Sequence, residues 1–270
     1  MRRSVWLALV LVFALAGGRA SATDYWDLNT TDPDNSTGTD NELYHGTKQQ
    51  HDLQAQGAVA DQDWYFVVNY PQSSYEALIE STSGDLNMFN PTEFQRLDVL
   101  GAAVLQSSEF ANVGGTGGYS VALRWQHGAG AIQTNFLRAR SANCGATCGP
   151  EDQYHIRFYE TTVSIPRFNN AGGQVTVLLI QNTTGWTRPI NATAYFWNGA
   201  GGLLGSLTMP PLAARASHVI NTFTIPGVAG VSGTISVAHD GGYGGLIMKS
   251  VALEPATGFS FDTPGLYKPD

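Results

Sequence analysis

Short runs of β-branched and aromatic residues, set apart by glycine-rich or polar turns, recur along this chain and limit it to an all-β fold. The clearest is Tyr154-His155-Ile156-Arg157-Phe158-Tyr159. Its strict alternation puts Tyr154, Ile156 and Phe158 on one face of a strand and His155, Arg157 and Tyr159 on the other. Similar runs begin at Asp63, Tyr75, Ser120 and Ile132, and again at Val175, Ala192, Ser217, Gly233 and Leu246. Glycine clusters such as 199–202 and 241–245 lie between such runs, where tolerance of positive φ suits tight turns. Leu97 to Gln106 reads either as a short helix or, preferably, as two strands bent at Gly101.

Strands at this spacing with short turns predict antiparallel β-sandwiches. A length of 270 residues accommodates two. The turn signal Phe168-Asn169-Asn170-Ala171-Gly172-Gly173 marks the expected boundary between them. The expected organisation is a signal peptide over 1–22, an acidic lead-in over 23–41, and two tandem sandwiches of jelly-roll or Ig-like type over 42–168 and 174–270. The signal peptide rests on Arg2 and Arg3, the apolar stretch Val5 to Ala16 and the small residues Ala20-Ser21-Ala22. That stretch is shorter than the roughly 20 residues a spanning helix needs, so cleavage near Thr23 is expected. No second stretch of that length follows, so the mature chain is not expected to insert in a membrane. A secreted or periplasmic address is the result.

The chain carries 14 Lys+Arg against 22 Asp+Glu, a net charge of -8, and loss of Arg2, Arg3 and Arg19 would make it more acidic still. That excludes nucleic acid as a partner, because phosphate binding needs clustered cations. With 43% hydrophobic and 13% charged residues the chain builds cores rather than staying disordered.

The segments Asn41-Glu42-Leu43 and Asp61-Gln62-Asp63-Trp64-Tyr65, followed by Tyr75-Glu76-Ala77-Leu78-Ile79, resemble the bacterial pre-peptidase C-terminal domain family over about residues 24–160. Members are typically non-catalytic β-sandwiches appended to secreted proteases and other exported enzymes. Related collagen-binding domains hold calcium with acidic lead-in residues and paired aspartates. With a signal peptide expected at its start, no peptidase domain is expected before the module, a departure from that setting. The resemblance, with the density of oxygen donors, makes calcium the expected cofactor, held by Asp34, Asp40, Glu42, Asp61 and Asp63. A solvated acidic linker, with Asp61 and Asp63 in a turn, is the alternative, since no EF-hand spacing is present.

Cys144 and Cys148, the only cysteines, lie between two predicted strands. In an oxidising compartment they form a structural disulfide within one loop. The spacing is not C-x-x-C, and two cysteines alone do not make a zinc site. The six histidines are scattered without H-E-x-x-H, no G-x-S-x-G elbow occurs, and no acid pair is assignable. Trp26, Tyr119, Trp186 and Tyr243 sit in loop-like settings and are the expected ligand contacts, whereas Trp64, Trp125 and Trp197 lie inside strands and are expected in cores.

The function expected is therefore a secreted, non-catalytic binding or accessory protein. Its partner would be an extracellular polymer, a cell surface or another protein. A structural subunit associating through strand edges and a hydrolase of unrecognised type are the alternatives.

Overall fold

The computed structural model describes residues 26, 34–55, 58–81, 93–111, 120–141 and 144–269. The expected signal peptide and Tyr119 lie outside the described residues, as does the lead-in before residue 34 apart from Trp26. The fold is all-β, with four antiparallel sheets arranged as two sandwiches.

In the first sandwich, one sheet has the spatial order β1 (Thr47–Asp52), β9 (Gln153–Glu160), β3 (Ser73–Ser81), β7 (Ser120–His127) and β6 (Glu109–Phe110). The facing sheet runs β2 (Gln62–Asn69), β8 (Gln133–Arg140), β4 (Phe94–Leu97) and β5 (Val104–Ser107). Period-two alternation fills the space between them. Tyr154, Ile156 and Phe158 of β9 point inward against Tyr65 and Val67 of β2, Ala77 and Ile79 of β3, and Leu123 and Trp125 of β7. Leu97 ends β4 and Val104 begins β5, and residues 98–103 form the turn between these paired strands, with Gly101 at φ +67°. A Cβ at Gly101 would also stand 2.2 Å from the Thr37 methyl, so only glycine lets this turn pack on the lead-in.

In the second sandwich, one sheet runs β13 (Leu203–Thr208), β12 (Ala192–Trp197), β15 (Ser232–His239), β10 (Val163–Asn169) and β18 (Leu266–Tyr267). The other runs β14 (Ser217–Asn221), β11 (Val175–Asn182), β16 (Leu246–Glu254) and β17 (Phe259–Pro264). Phe168, Leu178, Ile180, Phe196, Ile235 and Val237 form the middle of its core.

The chain crosses between sandwiches at Thr161 and Thr162, not at 168–174. Residues 163–168, which the expected boundary assigns to the first module, belong to β10, and β10 pairs with β15 and β18 of the second. The Asn-Asn-Ala-Gly-Gly turn carries the chain from one sheet of the second sandwich to the other. A turn signal specifies local backbone geometry, which is the same inside a domain as between domains. The crossing residues are buried and held: the Thr161 N–H donates to the Ser74 carbonyl at 2.8 Å, and the Ser74 N–H donates to Thr162 Oγ1 at 2.9 Å.

Candidate functional site

Three places concentrate chemistry. The first is the open edge of the first sandwich, between edge strands β1 and β2. The lead-in closes that edge. The Trp64 N–H donates to the Asp34 carbonyl, the Phe66 N–H to that of Asn41, and the Leu43 N–H to that of Phe66. Leu43 drops into the core. An isolated parallel bridge joins Glu42 to Phe66.

Under this strap Asp34, His51 and Asp63 are wholly buried, with ligand atoms within 4.8 Å of one another. His51 comes from β1 and Asp63 from β2, each at an inward position. The ring of His51 stacks on Tyr154 and meets Tyr65 edge-on, with centroids 5.7 and 5.1 Å apart. The Tyr154 hydroxyl donates to Asp63 Oδ2, and the Tyr65 and Tyr154 hydroxyls are hydrogen-bonded to each other. Burial, then the neighbouring Asp63 charge, pushes the Tyr154 hydroxyl well above its ordinary pKa, so it remains a donor.

The five carboxylates expected to share calcium are not gathered. Asp34 and Asp63 meet; Asp61 is buried outside their group; Asp40 and Glu42 are exposed on the strap. Nothing in the sequence marks His51 as part of this set, because Thr47-Lys48-Gln49-Gln50-His51-Asp52 has no apolar alternation to identify a strand. Its one signal is position, two residues past Gln49 on the inward face.

The second place is the seam between the sandwiches. Arg124 and Glu76, directly opposite on β7 and β3, form a buried ion pair with Nε to Oε1 at 2.7 Å. Arg124 also donates to Glu109 Oε1 at 3.1 Å and to the Ala111 carbonyl at 2.6 Å. The second sandwich completes the cluster. Trp186 lies over the guanidinium at 4.4 Å, and the Tyr243 N–H donates to Glu76 Oε2 at 2.9 Å. Arg188 bridges Glu109 and Asp240 at 2.9 and 3.1 Å. A Cβ on Gly242 would stand 2.9 Å from Glu76 Oε1, so the loop between β15 and β16 needs glycine to approach this closely.

Beside this cluster Tyr243 stacks on Tyr159 at 4.9 Å and leans on Tyr267 at 5.0 Å. Trp186 and Tyr243, expected as exposed contacts, therefore serve the junction between sandwiches. Behind them His239 is fully buried; its Nδ1 accepts from the Gly241 N–H at 3.1 Å, and burial drives its pKa down to about 4. Burial raises the Tyr267 hydroxyl far above its ordinary value.

The third place is a groove of about 450 Å³ on one side of the seam. Gln72, Ser73 and Glu160 line it from the first sandwich, and Ser164, Trp197 and Thr234 from the second. Trp197 is half-buried rather than a core residue, and its Nε1–H donates to Ser236 Oγ at 2.9 Å. Gln72 at the rim holds φ +56°, a left-handed conformation uncommon for a residue with a Cβ. Trp64 and Trp125 are buried in the first sandwich, as expected. Trp26 is half-buried.

Cys144 and Cys148 form the expected disulfide around the 3-10 turn Gly145–Thr147, with Cys148 packed on the first core. Asp152 lies close to both sulfurs, but oxidised sulfurs offer no thiolate to a metal. Among the described residues, no helix is long and apolar enough to cross a membrane.

No protein-family model matches this sequence, and no curated protein matches it. Among solved structures, the chain is similar to a β-glucuronidase of Parabacteroides merdae at 9% identity and a TM-score of 0.21, over 75% of this chain and 27% of that one. It is also similar to a β-glucuronidase from glycoside hydrolase family 2 at 9% identity and a TM-score of 0.20, over 90% of this chain and 26% of that one. At these scores neither likeness carries an argument about fold or activity.

Proposed function

We propose that the chain is an exported, non-catalytic binding protein that holds an uncharged polysaccharide in the groove between its two sandwiches. The observation behind this reading is the lining of that groove: one tryptophan beside two prolines and two isoleucines, with hydroxyls, an amide and a carboxylate, contributed by both modules. A sugar offers an apolar ring face and a rim of hydroxyls. Trp197 supplies an aromatic surface for the first, and Gln72, Ser73, Glu160, Ser164 and Thr234 supply hydrogen-bonding partners for the second. The acidic chain disfavours anionic polymers. The disulfide is compatible with an exported setting.

Affinity electrophoresis against soluble β-glucan, xylan and galactomannan tests this. At least one polymer should retard the protein, and Trp197→Ala, checked for folding by circular dichroism, should weaken retardation about tenfold, the scale of a lost stacking contact. Failure of all three polymers to retard the protein would sink the reading. Undiminished binding by Trp197→Ala would move the ligand out of the groove.

Self-assembly is the second reading. Val219 of β14 and Ile247 of β16 are exposed beside Leu179 on the outer face of the second sandwich, around a shallow groove of about 440 Å³. Concentration-dependent sedimentation by the wild type, lost in Val219→Lys, would favour it.

A further inference from the structure

We infer that Asp34, His51 and Asp63 form a binding site for one divalent transition metal ion of the zinc class, which clasps the lead-in onto the open edge of the first sandwich. This site lies inside the first sandwich and is independent of the groove proposed to hold polysaccharide.

The ligand set is the first argument. Two carboxylates and an imidazole, from three separate segments, converge at full burial. The imidazole decides the class of ion: calcium takes oxygen donors, whereas imidazole suits zinc, copper, iron and nickel. Spacing is the second. His51 Nδ1 stands 3.7 Å from Asp34 Oδ2, too long for a hydrogen bond. Two ligands, each about 2.1 Å from a tetrahedral zinc, stand about 3.4 Å apart, so a small adjustment places both on one ion.

The third argument lies outside the cluster, in the groups that orient it. Gln49 Nε2 donates to Asn41 Oδ1 at 3.0 Å, which turns the Gln49 carbonyl oxygen toward His51 Nε2 at 2.9 Å. An acceptor there assigns the ring proton to Nε2 and leaves Nδ1 facing the aspartates as the basic nitrogen. A ligating histidine characteristically donates its other N–H to an oxygen in this way. Asp63 is oriented likewise, by the Tyr154 hydroxyl, which donates to its Oδ2. Asn41 belongs to the strap itself, so the residue that sets the histidine tautomer arrives with the segment that brings Asp34.

The test uses the full-length mature protein, stripped with EDTA, dialysed and loaded with Zn²⁺ or Co²⁺. Elemental analysis should find about one ion per chain. The cobalt form should show visible absorption of a nitrogen–oxygen ligand set, and excess Ca²⁺ should not displace it. Asp34→Asn, on the strap and outside both sheets, and His51→Gln should each lower metal affinity at least tenfold while keeping the wild-type circular dichroism. Folded, stripped protein that takes up neither ion would overturn the inference. So would wild-type loading by both variants, which would place the ion on surface histidines. Displacement of cobalt by calcium would overturn the zinc-class assignment in favour of an all-oxygen site.

Discussion

His239 shows how a single buried side chain couples this fold to pH. The ring is fully enclosed between the β15 end and Tyr267, and burial lowers its pKa from 6.5 to about 4, outweighing the opposing pull of Asp240. In the unfolded chain the same ring titrates near 6.5. Between the two values the unfolded state binds more protons, so stability falls as the pH drops from about 6.5 toward 4 and is fully present above that window. The shift corresponds to a loss on the order of 3 kcal/mol at the acid end. His239→Gln keeps an acceptor for the Gly241 N–H and cannot titrate there. Urea unfolding at pH 7 and pH 4.5 should show the wild type losing more stability than the variant. Equal losses in the two proteins would mean that His239 is not the group responsible.

At the scale of elements, local chemistry and long-range placement separate cleanly. The Cys144–Cys148 bridge closes so short a loop that the chain-entropy account gives it only about 2 kcal/mol. Reduction should therefore lower the urea midpoint without abolishing the fold; collapse of the β signal on reduction would show the bridge to be structurally indispensable. Local pattern likewise made many strands legible in the sequence. Alternating β9 and the apolar runs of β2, β7, β11 and β16 lie close to where they were read. The polar strand β1 and β13, whose leucines are interrupted by Gly205 and Ser206, leave no such trace, because their pairing comes from neighbours in space. The lead-in illustrates the same limit. Its acids were visible, but which of them turn inward depends on Leu43 and the backbone bonds to Trp64 and Phe66, all of them non-local. Hence the sequence offers Asp34 and Asp63 only together with Asp40, Glu42 and Asp61, which do not converge, and gives no sign of His51, whose strand lacks an apolar pattern.

Over the whole molecule, the question is whether two sandwiches behave as one body. The crossing at Thr161–Thr162 is only two residues and is hydrogen-bonded to β3, which leaves little freedom at the hinge. The seam adds a buried Arg124–Glu76 pair whose remaining partners come partly from the second sandwich, through Trp186 and the Tyr243 N–H. Such a pair contributes little beyond what an apolar seam would, yet breaking it by removing one partner costs roughly 3–5 kcal/mol, because the other charge is left buried. Calorimetry of the wild type should accordingly give one transition. Arg124→Ala should strand Glu76 and separate the trace into two, whereas Arg124→Met with Glu76→Leu should restore a single transition. A single, unshifted transition in Arg124→Ala would show that the sandwiches are not coupled through this pair. Because the groove draws its walls from both sandwiches, Arg124→Ala should also weaken polysaccharide retardation with Trp197 intact, a loss that a ligand held by one module alone would not suffer.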